Sequence, residues 1–401
     1  MVKIYSKALD QSIDVKRIIK HIKGSKPGPT LIFIGGIHGN EPSGVFALQK
    51  VMEKLQEQEI PICGSIYALS GNLWALKNNQ RYHKQDLNRL WKAETIKDIL
   101  KEKHKVTNED VSQQIEICKL IHKILKTESG PFYFMDLHTT SSETVPFLTV
   151  NDSLLNRKFT KQYPLPIILG IEEYLEGPLL SYINELGYVA FGFEAGQHDD
   201  PISITNHIAF IYLSLVFAGS IEKKHIDYQY YYQMLSNNSK EFKHFYEIYW
   251  RHEISNGDTF KMKSGFINFQ KIRKGQELAQ SNGKIIRSKK NGKIFMPLYQ
   301  SLGDDGFFAI KRTRKVFLKL SAILRKIRFD YVLPMLPGVR WSADQKNTLT
   351  VNLKVAPFFT KQFFHLLGYR SREIDSTHLK LKNRELVSKT KEYKTSRWIN
   401  K

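Results

Sequence analysis

Over residues 1–245, short apolar runs of β type alternate with stretches whose apolar residues recur at helical spacing, the pattern of a sheet covered by helices. Residues 30–34 (TLIFI) read as a buried strand, followed by Gly35, Gly36 and a helical pattern over 43–56. Further strands are expected at 66–69, 132–135, 147–150 and 188–193, with long helices at 108–126 and 206–220. Near residue 250 the pattern changes to short β runs separated by Gly257, Gly265, Gly275, Gly283, Gly292, Gly303 and Gly306, which predicts a small all-β domain over 246–312. Residues 311–328 then read as an amphipathic helix, with Val316, Leu320, Ile323, Leu324 and Ile327 at helical spacing and Arg314, Lys315, Lys319, Arg325, Lys326 and Arg328 in other positions. A strand is expected at 348–355 and a helix at 357–367, and 387–401 read as a frayed end. The chain thus divides into an α/β unit (1–245), an all-β unit (246–312) and a C-terminal extension (313–401) to which the pattern assigns no fold.

Composition narrows the class. Of the 401 residues 41% are hydrophobic and 25% charged, which excludes a wholly disordered, collagen-like or disulfide-stapled chain. The 61 basic and 39 acidic residues leave a charge of +22. Residues 311–401 hold 22 of the Lys and Arg against 6 Asp and Glu, so this basic excess belongs to the extension. Its helix can be a solvated face packed on its own domain, or it can meet anionic lipid or nucleic acid as a separate and weaker contact. No RNP-like aromatic motif, zinc-finger spacing or P-loop accompanies it. Cys63 and Cys118 read as reduced core thiols. The N-terminal residues lack the apolar stretch of a signal peptide, and the longest apolar run, 208–218, is shorter than the roughly 18 residues a membrane span needs, so no transmembrane segment and a cytoplasmic location are expected.

Four clusters carry candidate chemistry. Gly35-Gly36-Ile37-His38-Gly39-Asn40-Glu41 follows the first buried strand, at the kind of strand end where open α/β folds place ligands, and His38 and Glu41 can reach one metal ion. With 13 histidines, about one His-x-x-Glu is expected by chance; a second, His244 to Glu247, falls on what reads as a plain helix. Phe134-Met135-Asp136-Leu137-His138-Thr139-Thr140 ends another β run, and His138 is a candidate third ligand. Two His and one Glu with an open position is the donor set of hydrolytic zinc sites. Tyr188-Val189-Ala190-Phe191-Gly192-Phe193-Glu194-Ala195-Gly196 brings an acid to an apolar strand end, where it is costly unless paired or used, so Glu194 is the candidate general base. In Arg81-Tyr82-His83-Lys84-Gln85-Asp86-Leu87-Asn88-Arg89-Leu90-Trp91, the two arginines can clamp a carboxylate or an oxyanion.

In order and content these four motifs resemble the succinylglutamate desuccinylase/aspartoacylase family, within the wider zinc-carboxypeptidase-like fold: a mixed sheet covered by helices, then a small all-β domain. The likeness extends through Met296-Pro297-Leu298-Tyr299 and Gly303-Asp304-Asp305-Gly306-Phe307-Phe308 and ends before the basic extension. It implies one Zn2+ per chain held by His38, Glu41 and His138, water activation by Glu194, polarisation of the scissile carbonyl by Arg81, and a substrate carboxylate bound by Asn88 and Arg89. The implied activity is metal-dependent hydrolysis of a linear amide, releasing an acyl group from a small anionic N-acyl amino acid. Aspartoacylases carry a further arginine shortly before the catalytic glutamate; residues 181–187 hold Asn184 and Glu185 and no arginine, so the resemblance does not extend to aspartate specificity, and a longer or less acidic N-acyl amino acid or an acylated small peptide fits equally well. The alternatives are a zinc carboxypeptidase-like peptidase, and a non-catalytic protein that binds an anionic surface or nucleic acid through residues 313–401. The sequence leaves the oligomeric state open.

Overall fold

The computed structural model describes residues 1–255, 257–342, 348–355, 361–375 and 377–399. Eleven strands form one mixed sheet. In chain order they are β1 (Ile18–Lys23), β2 (Lys26–Gly35), β3 (Cys63–Ser70), β4 (Phe132–Thr140), β5 (Phe147–Val150), β6 (Ile167–Leu169), β7 (Val189–Gln197), β8 (Phe245–Glu253), β9 (Lys271–Ile272), β10 (Gly292–Phe295) and β11 (Asp305–Arg312). They lie side by side as β9-β10-β11-β8-β6-β5-β7-β4-β2-β3-β1. The central strands β3, β2, β4 and β7 are mutually parallel. Both faces of β4 are covered, so all nine of its residues are buried, which is why such strands read as apolar runs without polar alternation.

Helices Ser43–Glu57 and Pro201–Ala218 pack against each other on one face, over a core that includes Leu48, Val51, Tyr163, Phe191 and Phe210. Helix Glu109–Thr127 covers the other, with Ile117, Ile121 and Ile124 against Phe134 and Ile32. Helix Pro201–Ala218 begins before the expected 206–220, because Asp200 caps it at Ile202 N (2.8 Å) and Pro201 starts it. By length and hydropathy it is the one helix among the described residues able to cross a membrane, yet 67% of it is buried inside the protein.

Residues 246–312 do not build a sheet wholly their own. Strand β8 pairs in parallel with β6 and antiparallel with β11, so the large sheet runs across the expected boundary at 245. A three-stranded sheet of Phe260–Met262, Glu277–Ser281 and Lys284–Arg287 sits beside it. His244 and Glu247 accordingly lie at a strand, not on a helix, and Glu247 pairs with Lys311 (2.8 Å).

The extension folds. Val339–Trp341, Thr348–Asn352, His378–Asn383 and Tyr369–Asp375 make an antiparallel sheet in that order, with a core of Leu333, Val339, Leu349, Val351, Leu379 and Leu381. The helix expected at 357–367 is described only over Lys361–Leu366; its first residues lie outside the described part. Residues 387–399 are not frayed: Tyr393 and Trp398 insert into the core of the large sheet beside Tyr133 and Phe159. The Tyr393 hydroxyl donates to the Phe132 carbonyl and accepts from Val189 N–H (2.9 Å), tying the chain end to the starts of β4 and β7. Tyr393→Phe strands two buried backbone groups and is expected to cost about 1–3 kcal/mol in urea unfolding. A loss under about 0.5 kcal/mol, the scatter of ordinary surface changes, would mean that the hydroxyl does not hold the terminus.

Candidate active site

The site forms where the parallel strands end. After β2, Gly36 takes a left-handed conformation (φ +74°), turning the chain so that Ile37 enters the core and His38 faces the strand ends. A Cβ on Gly39 would sit 2.1 Å from the Ala75 carbonyl oxygen, so only glycine lets this loop lie against the neighbouring one. Glu41 follows, buried just before helix Ser43–Glu57. Strand β4 delivers Asp136 and His138, and β7 places Glu194 in register beside His138.

His38 and His138 both turn Nδ1 toward Glu41, at 2.9 Å from Oε1 and 3.0 Å from Oε2. Each Nε2 faces another carboxylate: Asp86 Oδ1 at 3.1 Å from His38 and Asp136 Oδ2 at 2.8 Å from His138. That leaves two imidazole Nδ1 atoms and one carboxylate converging within 4.8 Å of one another, all buried. This donor set fits a divalent ion, since carboxylates behind imidazoles fix the tautomer and ring orientation of metal-binding histidines. Glu41 also accepts from Thr139 N–H (3.1 Å) and Arg81 (3.2 Å). Burial pushes its carboxyl up, but His38 and His138 outweigh burial and hold it well below the ordinary carboxylate value. For His138 burial works against the proton, while Asp136 and Glu41 raise its pKa well above the usual imidazole value.

Glu194 lies beside this cluster, buried, with one oxygen, Oε2, lacking any partner among the described residues. Burial lifts its pKa to about 8; His138 pulls the other way and Glu41 and Asp136 add to the rise. A nearby divalent cation acts in the lowering direction. The cluster opens into a cavity of about 130 Å³ that Glu194, Arg81, Asn88 and Arg89 also line. The structure therefore brings all seven sequence candidates to one cavity.

The loop carrying the arginines is held from below. Buried Asp110, at the start of helix Glu109–Thr127, accepts from the backbone N–H groups of His83, Lys84 and Gln85 (3.0, 2.7 and 2.9 Å). Asn88 Oδ1 accepts from Leu179 N–H (2.9 Å). Arg89 is paired with Asp305 (3.0 Å), which Arg251 also binds (2.5 Å). Sequence reasoning did not pick out this partner, because Asp305 lies 216 residues away on β11. Nor did it pick out His198, bonded to Thr139 (2.7 Å) and Gln300 (3.3 Å), or Glu172 on the cavity wall. Asp86 and Asp136 lie inside the quoted motifs; Asp136 stands two residues before its partner His138, a local signal, whereas Asp86 is 48 residues from His38.

The family model for the succinylglutamate desuccinylase/aspartoacylase catalytic domain matches residues 27–204, the segment that holds the donor cluster and Glu194. Over that segment the chain is similar to the catalytic domain of that family. A succinylglutamate desuccinylase of Photorhabdus laumondii is 32% identical over 77 residues, which is 19% of this chain and 23% of that protein. A probable aspartoacylase of Acaryochloris marina is 29% identical over 165 residues, 39% of this chain and 52% of that one. The sequence likeness thus spans about a quarter to half the length of these curated relatives. The crystal structure of a Vibrio cholerae succinylglutamate desuccinylase has the same fold, with a TM-score of 0.54 at 13% identity over 85% of this chain and 97% of that one. The family resemblance in the motifs and the mixed, helix-covered sheet with smaller C-terminal sheets are therefore both borne out.

Proposed function

We propose that this protein is a zinc-dependent deacylase that hydrolyses the amide bond of a small N-acyl amino acid. The observation that carries the reading is the convergence of His38, Glu41 and His138 beside a buried Glu194 whose Oε2 is unpartnered. His38, Glu41 and His138 would hold the ion, one per chain. Bound there, it would supply Lewis acidity, making a nearby water more acidic and polarising a carbonyl. Glu194 takes a proton from the attacking water at Oε2 and returns it to the leaving amine, so that amide and water become carboxylic acid and amine. Arg81, braced by Glu41 (3.2 Å) and Asp86 (3.6 Å), presents a cation to the oxygen on which negative charge develops. Asn88 and Arg89 orient the substrate carboxylate. Away from Arg81 and Arg89, the cavity wall is formed by Thr149, Asn151, Ser181 and Glu172, the last of these paired with Arg384 (2.9 Å).

Elemental analysis tests the metal half. About one zinc per chain is expected in the purified protein, and little in a folded variant combining His38→Ala with His138→Ala. No zinc after reconstitution would overturn the reading. A panel of N-acyl amino acids against free-ended peptides tests the substrate half; cleavage of the peptides alone would replace deacylase by carboxypeptidase.

A further inference from the structure

The helix Lys315–Lys326 turns the wrong face outward for a packed helix. Ser321 and Arg325 are buried, and Leu318 and Leu324 pack against the two cores the helix bridges. The apolar residues at intervals of four, three and four, Val316, Leu320, Ile323 and Ile327, are 73%, 41%, 56% and 64% exposed. At 3.6 residues per turn they form one stripe on the solvent side, and Lys315, Lys319 and Lys326 form the stripe beside it. Exposed Tyr331, Val332 and Met335 follow in the next turn of chain. No acidic residue occurs between Asp305 and Asp330.

We propose that this face docks the protein on an anionic lipid surface. An aliphatic stripe of this length is costly in water and needs an apolar cover. Its lysine border selects a negatively charged one. A second copy of the chain would bring two sets of lysines together, and a nucleic acid offers nothing to bury leucine and isoleucine. In a bilayer interface the stripe enters the acyl boundary while the lysines meet phosphate groups. Arg325, pointing the opposite way into Asp152 and Glu385, keeps the helix fixed on the body so that the stripe stays outward.

Sedimentation of the full chain with vesicles tests this. Binding to phosphatidylcholine vesicles containing phosphatidylglycerol is expected, with little to phosphatidylcholine alone and a marked decrease at high salt. Leu320→Ser, Ile323→Ser and Ile327→Ser together, at exposed positions that leave the fold intact by circular dichroism, should abolish binding. Lys315→Gln, Lys319→Gln and Lys326→Gln together should weaken it roughly 10²-fold. Failure of the unaltered protein to bind the anionic vesicles would overturn the proposal, as would equal binding by the serine variant. A dimer in light scattering that the serine variant abolishes would overturn it in favour of a second copy. Oligonucleotide binding that survives the serine changes but not the glutamine changes, without vesicle binding, would overturn it in favour of a nucleic acid.

Discussion

Glu194→Gln is expected to keep its metal and to lose about 10²- to 10⁴-fold in kcat on whichever N-acyl amino acid the screen selects. Glutamine has nearly the shape of glutamate, so the buried pocket stays filled, and none of the three converging donors is touched. What disappears is the unpartnered Oε2 of the carboxylate that lines the cavity beside the donors, and with it the group proposed to accept a proton from water and pass it on. Metal content and kcat must be read on the same preparation. Loss of both would report a collapsed site, whereas near-normal turnover in a metal-loaded variant would remove Glu194 from the proposed chemistry.

The second large effect concerns stability. Arg325→Leu is expected to destabilise the chain by about 3–5 kcal/mol, the usual result of removing one partner from a buried ion pair. The Arg325 side chain is fully buried; it donates to the Asp152 carbonyl (2.8 Å), the Asp152 carboxylate (2.9 Å) and Glu385 (3.0 Å). Leucine leaves Glu385 with its partner gone in the seam between extension and catalytic domain, where it also accepts from Leu154 N–H (3.0 Å). Arg157 remains on Asp152, so the loss is expected at the lower end for that carboxylate and mostly at Glu385. Chemical unfolding measures the total, and limited proteolysis shows whether the extension releases first. A change under about 1 kcal/mol would mean that the seam behaves like an exposed pair.

Acid has a related effect on the same seam. Burial opposes the Asp152 charge, but Arg157 and Arg325 hold its carboxyl far below the ordinary value. A carboxylate with a depressed folded pKa contributes stability that is complete above its unfolded value of about 4 and is lost as the pH falls below it. Arg325→Leu removes part of that depression, so the variant differs most from the parent near neutral pH and least in strong acid.

The central site was legible because its chemistry interrupts a simple pattern. Strands β2, β4 and β7 each contain a buried apolar run (LIFI, FYFM and VAFGF), so the polar residue that follows shortly after each run stands out. His38, His138 and Glu194 are such residues, and parallel pairing brings their strand ends to one side of the sheet. Glu41, three residues past His38, needed no long-range information. Asp305, which holds Arg89, reaches the site only because β11 continues the large sheet beyond β8. The glycine-punctuated pattern over 246–312 describes the turns correctly, but strands that join an existing sheet read like strands that form their own.

The extension shows the other limit. Periodicity predicted a helix over 311–328 with Val316, Leu320, Ile323, Leu324 and Ile327 at helical spacing; the helix forms over Lys315–Lys326, with Leu324 packed inward and the other four outward. Which face meets the protein was decided by Asp152 and Glu385, whose carboxylates draw Arg325 inward and so turn the aliphatic stripe out. In the same way Tyr393 and Trp398 gain their place from a gap beside Tyr133 that no local pattern encodes. Sequence by itself determined the strand-end residues and the helical spacing, because these depend on neighbours within a few positions. Tertiary structure alone decided which distant acid meets which arginine and which helix face is covered, because those choices depend on complementary surfaces assembled from segments far apart in the chain.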